Sequence, residues 1–265
     1  MPVIMTASQI KSASDGAIQF ELTVTKTALD QAYQKALQEL AKTAEIKGFR
    51  KGKAPLNLVE AQADKSKLLS HALEHALPPL YTEIITTNKL HPLIEPHITP
   101  KSMKEGEDWV FTVQTAGLPE FKLGDYQKYL KADLAAHDKA HPHDVKAKPE
   151  EIRDHKLGTI FDSLLKHTQV KVAKILVEEE AKSALSRLVN QLSSLKLKVE
   201  DYAKSIKKTT DELVVEYQKT ATTNLQLEFI LQAIIADLKP EVKETDPYKK
   251  YAAEKKAAID FLSGL

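Results

Sequence analysis

Two separate segments of alternating apolar and polar residues constrain this chain more than any other feature. Ile18-Gln19-Phe20-Glu21-Leu22-Thr23-Val24-Thr25 and Trp109-Val110-Phe111-Thr112-Val113 both carry the period-two pattern of a strand with one buried face. The turn signal Glu105-Gly106-Glu107-Asp108 predicts a hairpin with an earlier strand near Ile94 to Ile98, which Pro92, Pro96 and Pro100 shorten or confine to an edge. Between the strands the period changes to that of helices. The first helix is expected to open at Thr27, with Asp30 completing an acidic variant of the capping box, and carries Leu29, Tyr33, Ala36, Leu37, Leu40 and Ala44. The second is expected to start at Pro55, with Leu58, Val59, Leu68, Leu69, Ala72, Leu73, Ala76 and Leu77 as its stripe. Pro78-Pro79 is expected to kink or briefly interrupt it. Residues 1–118 thus read as one α+β domain, a small antiparallel sheet carrying a long helical hairpin.

Residues 119–154 lose this periodicity, carry Pro119, Pro142 and Pro149, and read as a connector too short to fold alone. Residues 155–265 read as an elongated all-α domain. Its stripes are Ile160, Phe161, Leu164 and Leu165, then Val177, Ala181, Leu185, Leu188, Val189, Leu192 and Leu195. A helix from about Thr210 follows, with Asp211 and Glu212 placed to favour its dipole, and Pro240 stops it. A last helix is expected over Pro247 to Leu262.

Composition narrows the chemistry. The chain has eight glycines in 265 residues, which suits long helices better than a loop-rich enzyme. It has no cysteine, so disulfides, thiolate nucleophiles and cysteine-ligated metals are excluded. A net charge of +1 supplies no global field toward nucleic acid or an anionic membrane, so any affinity for RNA must be local. The amino-terminal residues show neither a basic leader nor an apolar core of export length, and the expectation is a cytoplasmic protein without a membrane partner.

The helical stripe breaks at Gly48-Phe49-Arg50-Lys51-Gly52-Lys53-Ala54-Pro55, a loop both basic and hydrophobic. Gly48 and Gly52 can take positive φ, turning the chain sharply and pushing the side chains between them outward. Arg50, one of three arginines in the chain, can grip a carboxylate or phosphate in a bidentate fork. Phe49 can fill a shallow apolar pocket or stack on a base; the plainer alternative tucks it under the loop and leaves the basic residues solvated.

This octet resembles the glycine, phenylalanine, arginine, x, glycine, x, x, proline signature of the trigger factor family, at the tip of two helices inserted in a small sheet. Gly117-Leu118-Pro119-Glu120-Phe121-Lys122-Leu123-Gly124-Asp125-Tyr126 is similar to the family's exit from its docking domain. Segments from Val170 to Glu178 and from Val199 to Tyr202 are similar to parts of its carboxy-terminal domain. The resemblance implies docking on the large ribosomal subunit beside the nascent-chain exit, against a ribosomal protein and rRNA. It makes Phe49, Arg50 and Lys51 the contacts, with Lys53 adding charge and Gly48, Gly52 and Pro55 shaping the loop. It further implies a chaperone that needs no ATP or other cofactor, binds unfolded nascent polypeptides, and leaves room for a homodimer. Family members usually insert an FK506-binding-type proline isomerase domain, for which the connector has no room, so a short form without isomerase activity is expected. The alternatives are a holdase independent of the ribosome, or a peptidyl-prolyl isomerase as in full-length members. Leu188, Leu192, Leu195, Tyr217, Phe229 and Ile230 are the candidate client contacts, each equally at home in a helical core.

Other signals are discounted. His137, His141, His143 and Asp144 read as a solvated linker, because Pro142 spoils ligand spacing. His71 and His75 lie i,i+4 on a helix, but Glu74 does not follow the first histidine as the zinc protease motif requires, so they read as a helix face and no metal site is expected. Glu178-Glu179-Glu180 is expected in a helix amino-terminal turn.

Overall fold

A computed structural model describes residues 10–104, 106–140 and 149–265. They form two units: the first holds Ile18–Gly117 and the short strand before it, the second Leu118–Leu265 together with Ala13–Ala17.

The first unit is α+β. Its sheet has the order β1-β2-β4-β3, with β1 (Lys11–Ser12) antiparallel to β2 (Ala17–Val24) and β3 (His97–Ser102) antiparallel to β4 (Trp109–Ala116). Ile18, Phe20, Leu22 and Val24 on β2 and Trp109, Phe111 and Val113 on β4 are the buried alternates, and they pack with Leu29, Leu80 and Ile84 from the helices. Each such side chain removed from water contributes about 1.5–3 kcal/mol. β3 starts three residues later than the sequence predicts and lies at the sheet edge, where Pro100 is tolerated beside a register shift between Pro100 and Ser102.

Between β2 and β3 run α1 (Lys26–Thr43), α2 (Leu56–Gln62) and α3 (Lys65–Thr87). Beyond the sheet this hairpin has its own core of Ala32, Ala36, Leu37 and Ala41 on α1, Val59 on α2, and Leu68 and Ala72 on α3. The small alanines let the helices approach closely along this line.

Three local expectations need correction. The cap of α1 is Thr25 rather than Thr27, because Thr25 is extended and its Oγ1 accepts the Ala28 N–H at 3.3 Å, while Asp108 accepts the Lys26 N–H at 2.8 Å. The second helix is two helices, because Asp64 is itself an N-cap and accepts the Ser66 and Lys67 N–H groups. Pro78-Pro79 does not interrupt α3: both rings are exposed, and buried Leu68 and Ala72 on one side and Leu80 and Ile84 on the other pin the flanking turns.

The second unit is helical: α4 (Tyr126–Ala140), α5 (Pro149–His167), α6 (Lys174–Ser194), α7 (Val199–Ser205), α8 (Thr210–Leu238) and α9 (Pro247–Ser263). Where the sequence reads as connector, α4 buries Tyr126, Leu130 and Leu134 at i, i+4 and i+8 and packs on α5. Three apolar side chains make a weak sequence signal, yet they suffice once Ile160 and Leu164 on α5, both buried, supply a partner face. Glu178-Glu179-Glu180 lies a turn inside α6 rather than at its start, and salt bridges join Lys174 to Glu178 and Lys182 to Glu179. Thr209 caps α8 with a full capping box to Glu212. Glu228 on α8 accepts hydrogen bonds from Tyr251 and Lys255 on α9; burial pushes its carboxyl up, and those bonds more than offset it.

A polar cluster joins α4 to α5. The Ser163 hydroxyl donates to Asp133 Oδ2 at 2.7 Å, and His167 Nε2 lies 3.0 Å from the same oxygen. The Ser163 bond, with help from His167, holds the Asp133 carboxyl below its ordinary value against the opposing effect of burial. A carboxyl depressed in the folded state contributes stability above its unfolded value, and that contribution is lost as pH falls through the folded value. Ser163→Ala is therefore expected to cost about 1 kcal/mol near neutrality. Urea melts of both proteins should converge as pH is lowered below the ordinary aspartate range; a gap that stays constant would remove Asp133 from the explanation.

Candidate functional site

The hairpin tip is built by its two glycines. Gly48 has φ +92° and is the third residue of a turn in which the Phe49 N–H donates to the Ile46 carbonyl at 3.0 Å. Gly52 has φ +72°; its N–H donates to the Ala44 carbonyl at 3.1 Å and closes the base of the loop. A Cβ on Gly52 would lie 2.6 Å from the Lys42 carbonyl oxygen, whereas one on Gly48 would meet open space. A second turn spans Gly52, with the Lys53 N–H donating to the Arg50 carbonyl at 2.9 Å, and Pro55, extended at φ −59° and ψ 144°, caps α2 one residue before the helix begins.

This backbone turns the side chains outward. The Phe49 ring is 43% exposed, and Arg50, Lys51 and Lys53 are exposed beside it. Lys51 forms an ion pair with Glu45 at 2.9 Å; no acidic group among the described residues pairs with Arg50 or Lys53. The tip thus presents an open aromatic ring between cations, a surface suited to carboxylates or phosphates at its rim and an apolar group at its centre. The structure adds residues that the stripe pattern assigned to the core. Leu40 and Leu58 are 38% and 37% exposed, and Leu56, beside Pro55, is 37% exposed.

In the helical unit the six candidate client contacts separate. Leu192, Phe229 and Ile230 are buried core at 5%, 3% and 0% exposure, so they offer nothing to a partner unless the helices unpack. Leu188 and Tyr217 are half-buried, and Leu195, at the end of α6, is 69% exposed. An open apolar surface lies along the α6–α8 seam. There a cleft of about 450 Å³ is lined by Ala181, Leu185 and Val189 on α6 and Val214 on α8, among polar neighbours. Val189 and Val214 at its rim are 41% and 40% exposed. His137 lies on α4 beside Asp138, while His141, His143 and Asp144 fall outside the described residues. Among the described residues no helix is long and apolar enough to cross a membrane.

An α+β unit that raises a basic, aromatic tip on a helical hairpin, together with an all-helical unit carrying an open apolar seam, defines a particular class of two-part helical protein. Comparison with known proteins places the chain within that class. It belongs to the bacterial trigger factor chaperone family: the family model described as "Bacterial trigger factor protein (TF)" matches residues 5–152, and that for the "C-terminus" matches residues 141–257. The trigger factor of Clostridium acetobutylicum is 32% identical over 120 residues, covering 45% of this chain and 28% of that protein. The trigger factor of Clostridium botulinum strain Hall is 28% identical over 144 residues, 54% and 34% respectively. That of Mycobacterium sp. strain KMS is 32% identical over 157 residues, 59% and 30%. The matched part of the chain therefore spans about a third of the length of these relatives. A solved structure reported under "Promiscuous Substrate Recognition in Folding and Assembly Activities of the Trigger Factor Chaperone" shares the fold. Its TM-score is 0.61 at 11% identity, with 97% of this chain and 99% of that one covered.

Proposed function

We propose that this chain is a ribosome-associated chaperone that anchors by its hairpin tip beside the nascent-chain exit and shields unfolded segments with its helical unit, without ATP. The observation that carries this reading is the tip itself: Phe49 stands open on a glycine-shaped loop, with Arg50 and Lys53 unpaired by any acid among the described residues. A ring exposed between cations fits a partner with an apolar socket ringed by negative groups, as a ribosomal protein bordered by rRNA provides. Clients meet the α6–α8 seam, where Leu185, Val189 and Val214 offer non-directional apolar contact and Leu195 extends the surface at the helix end. Such contacts are individually weak, and tethering at the exit raises the local concentration of the seam around each emerging chain. The protein works in the cytoplasm, where ribosomes are. This reading gives it no proline isomerase activity, and the overlap of the two family matches at residues 141–152 supports that.

Cosedimentation with ribosomes tests the docking. The variant with Phe49, Arg50 and Lys51 all changed to alanine is expected to bind at least about tenfold more weakly than wild type, as loss of a central aromatic and its charged neighbours does in other interfaces. Equal pelleting of the two proteins would sink the proposal. Wild-type binding should also weaken modestly with salt, because only a few cations release counterions.

A further inference from the structure

We infer that the α1–α3 hairpin carries a binding site for a divalent transition metal of the zinc class, made by Glu39 on α1 and by His71 and His75 on α3. The sequence shows the two histidines at i,i+4 on one helix face, a spacing that directs both imidazoles to one side, and Glu74 beside His75 is not among the groups that converge with them. The fold supplies a third donor from the other helix. Glu39 Oε2 lies 2.8 Å from His75 Nε2, and the His71 and His75 rings are 5.0 Å apart and tilted by 57°. One ligand atom from each of the three residues lies within 4.8 Å of the others.

These distances suit a metal. With bonds of about 2.0–2.2 Å, the donors of a tetrahedral zinc ion lie roughly 3.4 Å apart, so the observed set needs a rotamer adjustment of about an ångström. The Glu39–His75 pair opens slightly and the wider pairs close. Three protein donors leave the fourth position to water, and the surroundings provide the room: Glu39 and His71 line a cleft of about 570 Å³ between α1 and α3. Lys67 lines the cleft along with Asp64, so the site is not a bare negative pocket that would attract any cation. Two imidazoles and one carboxylate favour zinc, nickel, cobalt or copper over magnesium and calcium, which prefer oxygen donors throughout. Glu39 stands four residues before the end of α1 at Thr43, so an ion bound there would fasten α1 to α3 close to the point where the chain leaves for the tip.

Calorimetric titration of the full chain with zinc chloride, and in parallel with magnesium chloride, tests the site. Saturable binding of one zinc ion and none of magnesium is expected. The double variant His71→Ala/His75→Ala should bind at least about tenfold more weakly, while a variant with His137, His141 and His143 changed to alanine should bind as wild type does. Absence of saturable zinc binding to wild type, or undiminished binding by the double variant, overturns the inference. If circular dichroism shows the double variant to be unfolded, the ring resonances of wild-type His71 and His75 decide: zinc must shift both, and zinc binding that leaves them unmoved overturns the inference equally.

Discussion

Changing Leu37 to alanine is expected to destabilise the helical hairpin by about 2–5 kcal/mol, toward the upper end of that range. Leu37 is 1% exposed and sits in a core otherwise made largely of alanine, with Ala32, Ala36 and Ala41 on its own helix and Ala72 opposite. Small neighbours cannot swing in to fill the space that a truncated leucine leaves, so the cavity term adds nearly in full to the lost transfer energy. Leu40, three residues further along the same helix, provides the internal comparison: it is 38% exposed, and Leu40→Ala should cost less than about 1 kcal/mol. Urea denaturation read by circular dichroism, with hydrogen exchange along α1, measures both. Two variants of equal stability would mean that the hairpin core contributes little of its own and that the sheet alone holds α1 and α3.

The same pair of leucines shows what the sequence could and could not reveal. Period-two alternation located β2 and β4, because each strand has one face on the core and one away from it. β1 escaped notice, since Lys11 and Ser12 are both exposed and join the sheet only by backbone pairing with Gln19 and Ile18. The stripe assigned to the second helix has no large apolar residue between Val59 and Leu68, so periodicity could not place the break there; the capping character of Asp64 could have. Leu37 and Leu40 belong to one stripe by spacing, yet only Leu37 is buried, because the width of a buried face is set by its partner. The octet of the tip was legible because glycine spacing and composition are local properties. The proposed client surface was not: the carboxy-terminal half of α8 carries Phe229, Ile230, Leu231, Ile234 and Ile235, all buried, and a helix apolar on so many sides does not disclose which neighbour covers which side. Val189 and Val214 became candidates only once α6 and α8 lay side by side. Glu39 stayed hidden as a partner of His75 for the same reason, since 36 residues separate them.

Gly52 should be the most sensitive single position of the tip, and its contrast with Gly48 separates shape from chemistry. Both glycines are left-handed, at φ +72° and +92°, so any replacement meets a backbone penalty of about 1–2 kcal/mol. At Gly48 that is the whole cost, because a methyl group there would touch nothing. At Gly52 the same methyl would be driven to 2.6 Å from the Lys42 carbonyl oxygen, a rigid backbone atom at the end of α1 that cannot rotate aside. Relief requires breaking the Gly52 N–H bond to the Ala44 carbonyl, which closes the loop. Gly52→Ala therefore reshapes the tip while every docking side chain stays present, and Gly52→Val, whose branched β-carbon disfavours positive φ further, does so more strongly. The core around Leu37 lies outside the loop, so the hairpin should stay folded, with its stability lowered by the backbone penalty and by whatever part of the clash is not relieved. Ribosome binding should fall at least about tenfold for Gly52→Val and only a few-fold for Gly48→Ala, as expected when pre-organisation of a short loop is lost. If Gly52→Val docks as wild type does while the triple change of Phe49, Arg50 and Lys51 abolishes docking, the side chains act without the backbone shape that holds them apart. If all three proteins dock equally, the anchor lies elsewhere on the chain.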